Sequence, residues 1–432
     1  MEDILAQAKK VAEAAEVFMV SSEETTVQLE ANRLKRIQSK QNTSVALRII
    51  KQGRVGYAAT TDLSDTRRLV ANAVETAPFG VQARFELPHK TTYPQIKVFD
   101  PDTESTPIEK MIALGEELIA LVTRHTPDII CEAMVAKDII SLRLMNSGGG
   151  EASYKKSVFS LSLWGSLIRG TDMLFVGESQ SSCHPITTPK EVADVVIQQL
   201  ELARNRASVP TKQLPVILTP RGVVSALIPS LMTAFNGKIV LQGASPIGNR
   251  LGQPVFDQKL SLWDDPTIAY RPNSRPSDDE GVPSQRTPLI EGGRVASFLY
   301  DLQTAALAHT RSTGNGSRNG GLPTPSPTTL VIAPGKTGFD EMVGDIKEGL
   351  VIEQLMGAEQ GNILGGDFSG NVLLGFKIES GKIVGRVKDT MVSGNVYQLL
   401  KEAIAIGSEA RWVGGFVLTP PIYCPRLSVA SK

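Results

Sequence analysis

The sequence has little histidine and cysteine, no excess charge and no long apolar run. Its 432 residues include four histidines and three cysteines, and 45 basic side chains balance 45 acidic ones. This balance gives no reason to expect attraction to nucleic acid or to an anionic membrane surface. No apolar run reaches the ~18 residues that a membrane span needs. We therefore expect neither nucleic acid nor a membrane as a partner.

The cysteines and the N-terminal residues indicate a reducing compartment. Cys131, Cys183 and Cys424 lie far apart and form no C-x-x-C pair, which argues against a disulfide framework and against a cysteine-rich zinc site. The first residues, MEDILAQAKKVAEAAEVF, lack the basic segment and apolar core of a signal peptide. The expected location is cytoplasmic.

The histidines exclude a two-histidine zinc site on one helix. His89, His125, His184 and His309 are the full set, and no two of them lie within one helical turn. The H-E-x-x-H motif is therefore absent. Single histidines near helix ends or in loops are typical of surface or core positions, although a site gathered from distant residues stays open.

Nucleotide and serine-hydrolase motifs are also incomplete. Residues 333–337, APGKT, end like a phosphate loop, but residue 330 is leucine where that motif needs its first glycine. Residues 314–320, GNGSRNG, have the wrong glycine spacing for a dinucleotide-binding turn and follow a predicted helix. No G-x-S-x-G sequence is present. The sequence gives no support to nucleotide binding or to a serine hydrolase.

The hydrophobic patterns predict an α+β fold. In SVALRIIKQGRVGYAATT two strand-like runs flank a turn at residues 51–54, and helical spacing precedes and follows them, so residues 1–85 form a helix, hairpin and helix region. Residues 86–105 are rich in proline, threonine and aspartate and are predicted as a linker. Residues 106–208 form a helix, strands and helix region, whose helices begin at the capping-box sequences TPIE (106–109) and TPKE (188–191).

Residues 209–432 are predicted as a β-rich domain with inserted helices. Glycine-punctuated strands dominate, with turns at EGGR and ESGK, which indicates an open-barrel-like antiparallel sheet. The inserted helices are expected near residues 222–234, 299–309, 338–356 and 395–406.

Two loops stand out as candidates for ligand contact. Residues 277–283, SDDEGVP, place three carboxylates before a glycine, and residues 312–316, STGNG, offer backbone amides free of bulky side chains. An acidic solvated turn and a flexible hinge are the alternatives. The functional hypothesis is that exposed backbone holds an extended peptide by main-chain hydrogen bonds. Its candidate residues are Asp279, Glu280, Gly281, Thr313, Gly314, Asn315 and Gly316.

These loops and their surroundings resemble the TldD/PmbA family, also called TldD/TldE and once named modulators of DNA gyrase. The matching segments occur in family order over nearly the whole chain. They are ALRIIKQGRVGYAATTDL (46–63), NSxG (146–149), DDEGVP (278–283), TGNG (313–316), GDFSG (366–370) and VSGN (392–395). The resemblance implies a zinc metalloprotease system of two related chains that cleaves unfolded or extended peptides.

In that family one chain carries H-E-x-x-x-H on the helix that opens its C-terminal domain. The corresponding stretch here is TPRGVVSALIPSLMTAFNG (219–237), and the resemblance places the motif positions at Ala226, Leu227 and Leu231. None of these can bind zinc or activate water. Pro229 is expected to kink the helix. The family's catalytic chain also has a cysteine ligand near its C-terminus, for which Cys424 falls too late.

The resemblance therefore implies a PmbA/TldE-like subunit without a catalytic or metal site of its own. Zinc is expected in a catalytic partner chain of the TldD type that carries H-E-x-x-x-H, and the two chains would pair as a heterodimer around an extended peptide substrate. The alternative is a homodimeric protein of the same fold that binds a peptide or another ligand. Independent hydrolysis through serine or aspartate has little support in the sequence.

Overall fold

A six-stranded antiparallel sheet forms the N-terminal half of the computed structural model, which describes residues 1–431. Its strands are β1 (Ala14–Glu30), β2 (Arg33–Lys51), β3 (Arg54–Thr60), β4 (Ile130–Asn146), β5 (Glu151–Arg169) and β6 (Asp172–Ser182). They lie in the order β3-β2-β1-β4-β5-β6. The predicted hairpin turn is confirmed, with φ of 51° at Gln52 and 68° at Gly53. Glycine adopts this left-handed conformation without a steric penalty.

Helices cover one side of this sheet. They are α1 (Glu2–Ala8), α2 (Thr66–Thr76), α3 (Pro101–Ser105), α4 (Ile108–His125) and α5 (Lys190–Leu202), and a 3₁₀ turn follows α2 at Ala77–Phe79. In α4 the buried residues Met111, Leu114, Leu118 and Val122 recur at helical spacing. They share one core with α5, with β4 to β6 and with the outer face of the C-terminal sheet. Helices α4 and α5 therefore join the two halves of the molecule.

One sheet runs through the first and third predicted regions. Strand β1 pairs with β4 from Glu16 opposite Asn146 to Leu29 opposite Ala133. The segment predicted as a linker, residues 86–105, connects these parts and contains α3 near its end. The division of the chain into 1–85, 86–105, 106–208 and 209–432 remains a proposal.

The C-terminal half is rich in short and medium strands, in agreement with the prediction. The strands are β7 (Lys212–Leu218), β8 (Leu262–Asp264), β9 (Thr287–Glu291), β10 (Arg294–Val295), β11 (Gly316–Ser317), β12 (Thr324–Pro325), β13 (Leu330–Ile332), β14 (Glu348–Met356), β15 (Asp367–Glu379), β16 (Lys382–Arg386), β17 (Thr390–Asn395), β18 (Ala405–Ile406), β19 (Arg411–Val413), β20 (Val417–Thr419) and β21 (Ile422–Ser431). The helices are α6 (Pro220–Ala226), α7 (Ile228–Ala234), α8 (Gly237–Leu241), α9 (Leu302–Leu307), α10 (Phe339–Gly344) and α11 (Val396–Lys401), with a 3₁₀ turn at Ala358–Gln360.

The seven-stranded sheet of this half is curled, as the barrel-like pattern predicted. Strand β7 pairs with β14 and β21, β21 pairs with β17, and β15 pairs with both β17 and β14, so the pairings form a ring. Only the β7–β14 pair within this ring is parallel. Helices α6, α7, α9 and α11 share a large apolar core with the strands of this half.

Two predicted helices are shorter than expected. The helix predicted at 338–356 ends at Gly344, and residues from Glu348 onward form β14. This run is buried between β7 and β15, and strand pairing on both sides outweighs its helix-compatible pattern. The helix predicted at 395–406 ends at Lys401 and is followed by β18. Among residues 1–431 no helix has the length and apolarity needed to cross a membrane.

Candidate functional site

The stretch that the resemblance matches to a zinc-motif helix, residues 219–237, is not one continuous helix. Thr219 caps α6, since its side chain accepts the N–H of Gly222. The helix ends at Ala226, and α7 begins at Ile228 with Pro229 in its first turn. Proline lacks an N–H and clashes with the preceding turn, so one continuous helix cannot run through this point. The predicted kink is confirmed as a break between two short helices.

The three positions that the resemblance assigns to the zinc motif lie in the apolar core. Ala226 is 2% exposed, Leu227 is 0% exposed and Leu231 is 1% exposed. They belong to the same core as Phe235, Ile352, Ile406 and the other apolar residues of the C-terminal half. The side chains here contribute packing rather than coordination.

Zinc does not fit the remaining residues of this chain either. Zinc needs thiolate, imidazole or carboxylate ligands. Cys424 is buried on β21 opposite Val216, and burial raises the pKa of its thiol to about 12. The thiol lies in the apolar core of the C-terminal half, among side chains that are not zinc ligands. Between Met1 and Ser431 no group of three or more histidine, cysteine, aspartate or glutamate side chains could hold a metal ion.

The acidic loop predicted as a ligand contact is folded inward. Asp278 Oδ1 accepts the N–H of Glu280 at 2.9 Å and of Val282 at 2.8 Å, and Gly281 takes a φ of 76° to close the turn. Asp278 and Glu280 are fully buried, and Asp279 is nearly so. The alternative of a solvated acidic turn is wrong, because the three carboxylates are buried. Burial of a carboxylate is costly unless it is hydrogen-bonded, and Asp278 accepts hydrogen bonds from the loop itself.

The structure brings the glycine loop against the acidic loop. The N–H of Gly316 donates to Asp278 Oδ2 at 2.9 Å, and the N–H of Asp279 donates to the carbonyl of Gly316 at 3.0 Å. A Cβ at Gly316 would lie 2.6 Å from Glu280 Oε2, so a larger residue would collide with the acidic loop. The two candidate loops therefore form one unit, although with buried rather than exposed backbone.

The other candidate residues anchor the glycine loop. Asn315 donates its amide to Asp264 at 2.6 Å, and Gly314 has a φ of 75°. Thr313 accepts the N–H of Tyr300 at 2.8 Å. All of these groups are buried, and the loop is fixed by hydrogen bonds rather than being a flexible hinge.

A buried ion network connects this unit to the N-terminal sheet. Arg48 on β2 donates to Glu280 at 2.6 Å and to Glu16 on β1 at 3.0 Å. Arg318 also pairs with Glu16, and its main-chain N–H donates to Asp279 at 2.8 Å. The two guanidinium groups lie over aromatic rings, those of Phe85 and Phe18. Charge-assisted hydrogen bonds of this kind fix the geometry of the groups they join.

Sequence reasoning named Glu280 and Asp279 but missed their partners. Glu16 lies within the apolar run AAEVFMV, and Arg48 lies within SVALRII. Charged residues in apolar strand runs are a signal of buried pairing, because such residues are almost never buried without a partner. That signal identifies the charged residues but not the loop they contact.

Burial and mutual repulsion perturb the acids of the network. Burial raises the pKa of Asp278 to about 7, and the nearby Glu280 adds to the effect. Burial likewise raises the pKa of Asp301 to about 6, again with a contribution from Glu280. Burial alone would lower the pKa of Arg48, but Glu16 and Glu280 raise it above its ordinary value. The network is therefore sensitive to protonation of its carboxyl groups.

A cleft opens beside the acidic loop. It has a volume of about 320 Å³ and lies between the segment from Tyr93 to Phe99, the start of β5, and residues Pro276 and Ser277. Tyr93 donates its hydroxyl to the carbonyl of Gly281 at 3.1 Å, which joins the cleft wall to the acidic loop. The cleft is an accessible space next to the buried candidate residues.

Comparisons with known proteins agree with the fold and motifs. Residues 211–431 match a family described as the PmbA/TldA metallopeptidase C-terminal domain, and residues 15–77 match PmbA/TldA metallopeptidase domain 1. The first match alone covers half of the chain.

Relatives align along nearly the whole length. An uncharacterized protein of Methanocaldococcus jannaschii is 28% identical over 94% of each chain. A metalloprotease PmbA homologue of Haemophilus influenzae is 24% identical over 93% of this chain and 89% of the relative. The crystal structure of TldE from Thermococcus kodakarensis has the same fold, with a TM-score of 0.89 at 21% identity and complete coverage of both chains. This chain belongs to the PmbA/TldD metallopeptidase family.

Proposed function

We propose that this chain is a non-catalytic, PmbA/TldE-type subunit of a zinc metalloprotease complex that cleaves unfolded or extended peptides. The observation that supports the proposal is the burial of apolar side chains at the positions that the resemblance assigns to the zinc motif. Ala226, Leu227 and Leu231 occupy the three motif positions, and all three are buried in one core. Two imidazoles and a carboxylate base are the chemistry of such a motif, and apolar side chains supply neither.

The partner is expected to supply what this chain lacks. A TldD-type chain with H-E-x-x-x-H would hold the zinc and the general base, and this chain would complete the space through which peptide reaches them. Full-length similarity to a PmbA homologue supports such a role for the whole chain rather than for one domain. A homodimer of this chain that binds peptide without an enzyme is the alternative outcome.

The seven candidate peptide-binding residues keep a place in this proposal with a changed role. Asp279, Glu280, Gly281 and the residues from Thr313 to Gly316 are held in the buried unit behind the cleft. They would set the shape of a wall of the peptide passage rather than contact the peptide. The three cysteines are free, in keeping with a cytoplasmic location.

The experiment is a metal and activity measurement on the isolated chain. The purified protein is dialysed with added zinc, freed of excess metal, and assayed for bound zinc by inductively coupled plasma mass spectrometry. Hydrolysis of a fluorogenic unfolded-protein substrate is measured in parallel. We expect far less than one zinc per chain and no chelator-sensitive hydrolysis.

A variant separates weak thiol binding from a true site. Any trace of zinc that Cys424→Ser removes would come from the thiol alone. Stoichiometric zinc together with hydrolysis that a chelator abolishes would contradict the proposal.

A further inference from the structure

One edge of strand β5 is unpaired near its beginning. Strand β4 pairs with β5 from Glu151 to Ser166, whereas β6 pairs with β5 only from Phe159 onward. The edge of residues 151–158 that faces away from β4 is therefore not covered by β6. An unpaired strand edge presents N–H and C=O groups that can template another strand.

The chain segment beside this edge leaves a gap. His89 forms a bridge with Gly149, and the carbonyl of Val98 accepts the N–H of Ser157 at 3.1 Å. Between these two anchors, residues 90–96 form no backbone–backbone hydrogen bond within the described part of the chain. The segment is therefore joined to β5 by backbone hydrogen bonding only at its two ends, while the Tyr93 hydroxyl fixes its middle to the carbonyl of Gly281.

The main-chain groups of β5 point into this gap at alternate residues. Along an antiparallel strand, N–H and C=O groups of successive residues face opposite neighbours. Because the N–H of Ser157 points away from β4 toward Val98, the N–H and C=O of Ser153 and Lys155 point the same way. Within residues 1–431 these outward groups have no backbone partner across the gap.

The cleft of about 320 Å³ lies along this edge. Four consecutive strand residues line it, Ala152 to Lys155. Successive side chains of a strand point to opposite faces of the sheet, so a space lined by four in a row follows the edge and not one face. Its opposite wall is the segment from Tyr93 to Phe99, and Pro276 and Ser277 also line it.

A buried polar group and two aromatic rings complete the cleft. The hydroxyl of Ser277 is fully buried and has no hydrogen-bond partner among the described residues. Buried hydroxyl groups are usually satisfied, so an unpartnered one that lines a cleft indicates a missing acceptor or donor. Tyr93 and Tyr154 pack against one small apolar cluster beside it. The cleft offers main-chain and apolar contacts together, next to this buried hydroxyl.

We propose that this cleft binds a short extended peptide as an added strand on the edge of β5, with the main-chain groups of Ser153 and Lys155 as its hydrogen-bonding partners. Strand addition uses main-chain groups for affinity and small pockets for alternate side chains. A volume of about 320 Å³ is near the lower end of the range for small-ligand sites, so only a few residues would enter. The ligand class rests on the proposed function, whereas the location rests on the geometry.

The test is peptide binding to the isolated full-length chain. The probe is a fluorescein-labelled hexapeptide of alternating threonine and valine, and binding is followed by fluorescence polarisation. A second probe has the same sequence with alternate backbone nitrogens methylated. We expect saturable binding of the first probe and at least tenfold weaker binding of the second. Equal binding of both probes, or no saturable binding of the first, would overturn the proposal.

Two substitutions at one exposed position locate the site. Ser153→Pro removes the N–H that points into the cleft and leaves the β4 side of the ladder intact. Ser153→Ala keeps that N–H and is the matched control. We expect at least tenfold weaker binding for Ser153→Pro and unchanged binding for Ser153→Ala. Wild-type affinity in the proline variant would overturn the proposal.

Hydrogen exchange keeps the test decisive if the proline variant does not fold. In the wild-type chain, saturating peptide should slow amide exchange in residues 151–157 and leave β16 unchanged. Absence of protection in residues 151–157 would overturn the proposal. These measurements use the chain without a partner, so they test the peptide site separately from the proposed function. If the chain binds peptide here but associates with no protease, the site is supported and the proposed function is refuted.

Discussion

The substitution Leu227→Glu puts a carboxyl group back at the second position of the family's zinc motif. Leu227 is fully buried at the break between α6 and α7, within the apolar core of the C-terminal half. If this position is core, the carboxyl group has no partner and cannot reach water. If it is a relic of a polar site, the carboxyl group should be tolerated.

The expected cost follows from two effects. Loss of the buried leucine removes about 1.5–3 kcal/mol of burial free energy. An unpartnered buried polar group adds about 1–3 kcal/mol. The free energy of unfolding should therefore fall by about 2.5–6 kcal/mol, which is a large part of the ~5–15 kcal/mol typical of a folded protein. Leu227→Met conserves volume and should cost less than about 1.5 kcal/mol.

The assay is urea unfolding of both variants at about pH 5 and about pH 8. Burial raises the pKa of the introduced carboxyl group above its unfolded value, so the neutral form is favoured in the fold and the loss of stability grows as pH rises. A Leu227→Glu variant as stable as Leu227→Met at both pH values would refute the assignment of this position to the core.

Three further predictions concern the buried network. Arg48→Met should lower the free energy of unfolding by about 3–5 kcal/mol in urea unfolding, because two buried carboxylates lose a partner. An unchanged midpoint would contradict the network. The pKa of Asp278 is raised from 3.8 to about 7, so its neutral form contributes stability that is fully present below about pH 4 and lost as pH rises through 7. Urea unfolding from pH 4 to 8 should show this fall in stability, and the Asp278→Asn variant should show a flatter pH profile. Identical pH profiles of the wild-type chain and the variant would count against the raised pKa. Gly316→Ala places its Cβ 2.6 Å from Glu280 and should cost about 1–3 kcal/mol by thermal unfolding, whereas the open site of Gly321→Ala should be neutral. Equal effects would be inconsistent with the packing described.

Sequence patterns predicted the elements whose signals are local. The β2–β3 turn needs a residue with left-handed backbone, and the glycine at position 53 predicts that conformation. Helix α4 begins as predicted, at Ile108, but its cap does not follow the capping box. Thr106 caps the C-terminal end of α3 and its hydroxyl donates to the carbonyl of Asp102 in that helix at 2.6 Å, while Pro107 occupies the cap position of α4. The Thr106 side chain, which the capping-box pattern assigned to the start of α4, is therefore hydrogen-bonded to α3 instead.

Elements that depend on distant pairing were harder to predict. The run from Glu348 to Met356 is compatible with a helix when taken alone, and only its position between β7 and β15 makes it a strand. The acidic loop is a similar case, since its Glu280 pairs with Arg48, which lies 232 residues away in the chain. No pattern within a loop reports such a partner.

The candidate site was predicted only in part for the same reason. The assignment of Ala226, Leu227 and Leu231 to the zinc-motif positions rests on the resemblance and stays a prediction, while their burial is what apolar side chains lead one to expect. The cleft beside β5 depends on where β6 stops pairing and on where the segment after His89 leaves the sheet. Those features arise from tertiary geometry and have no sequence signature of their own.

The most direct test of the central claim is purification of this chain from its native cells at near-physiological salt, with identification of every co-purifying protein by mass spectrometry. The account predicts a stoichiometric partner that carries H-E-x-x-x-H, with zinc bound in the complex and absent from the separated chain. Recovery of the chain only with itself would contradict the account and favour a homodimeric binding protein.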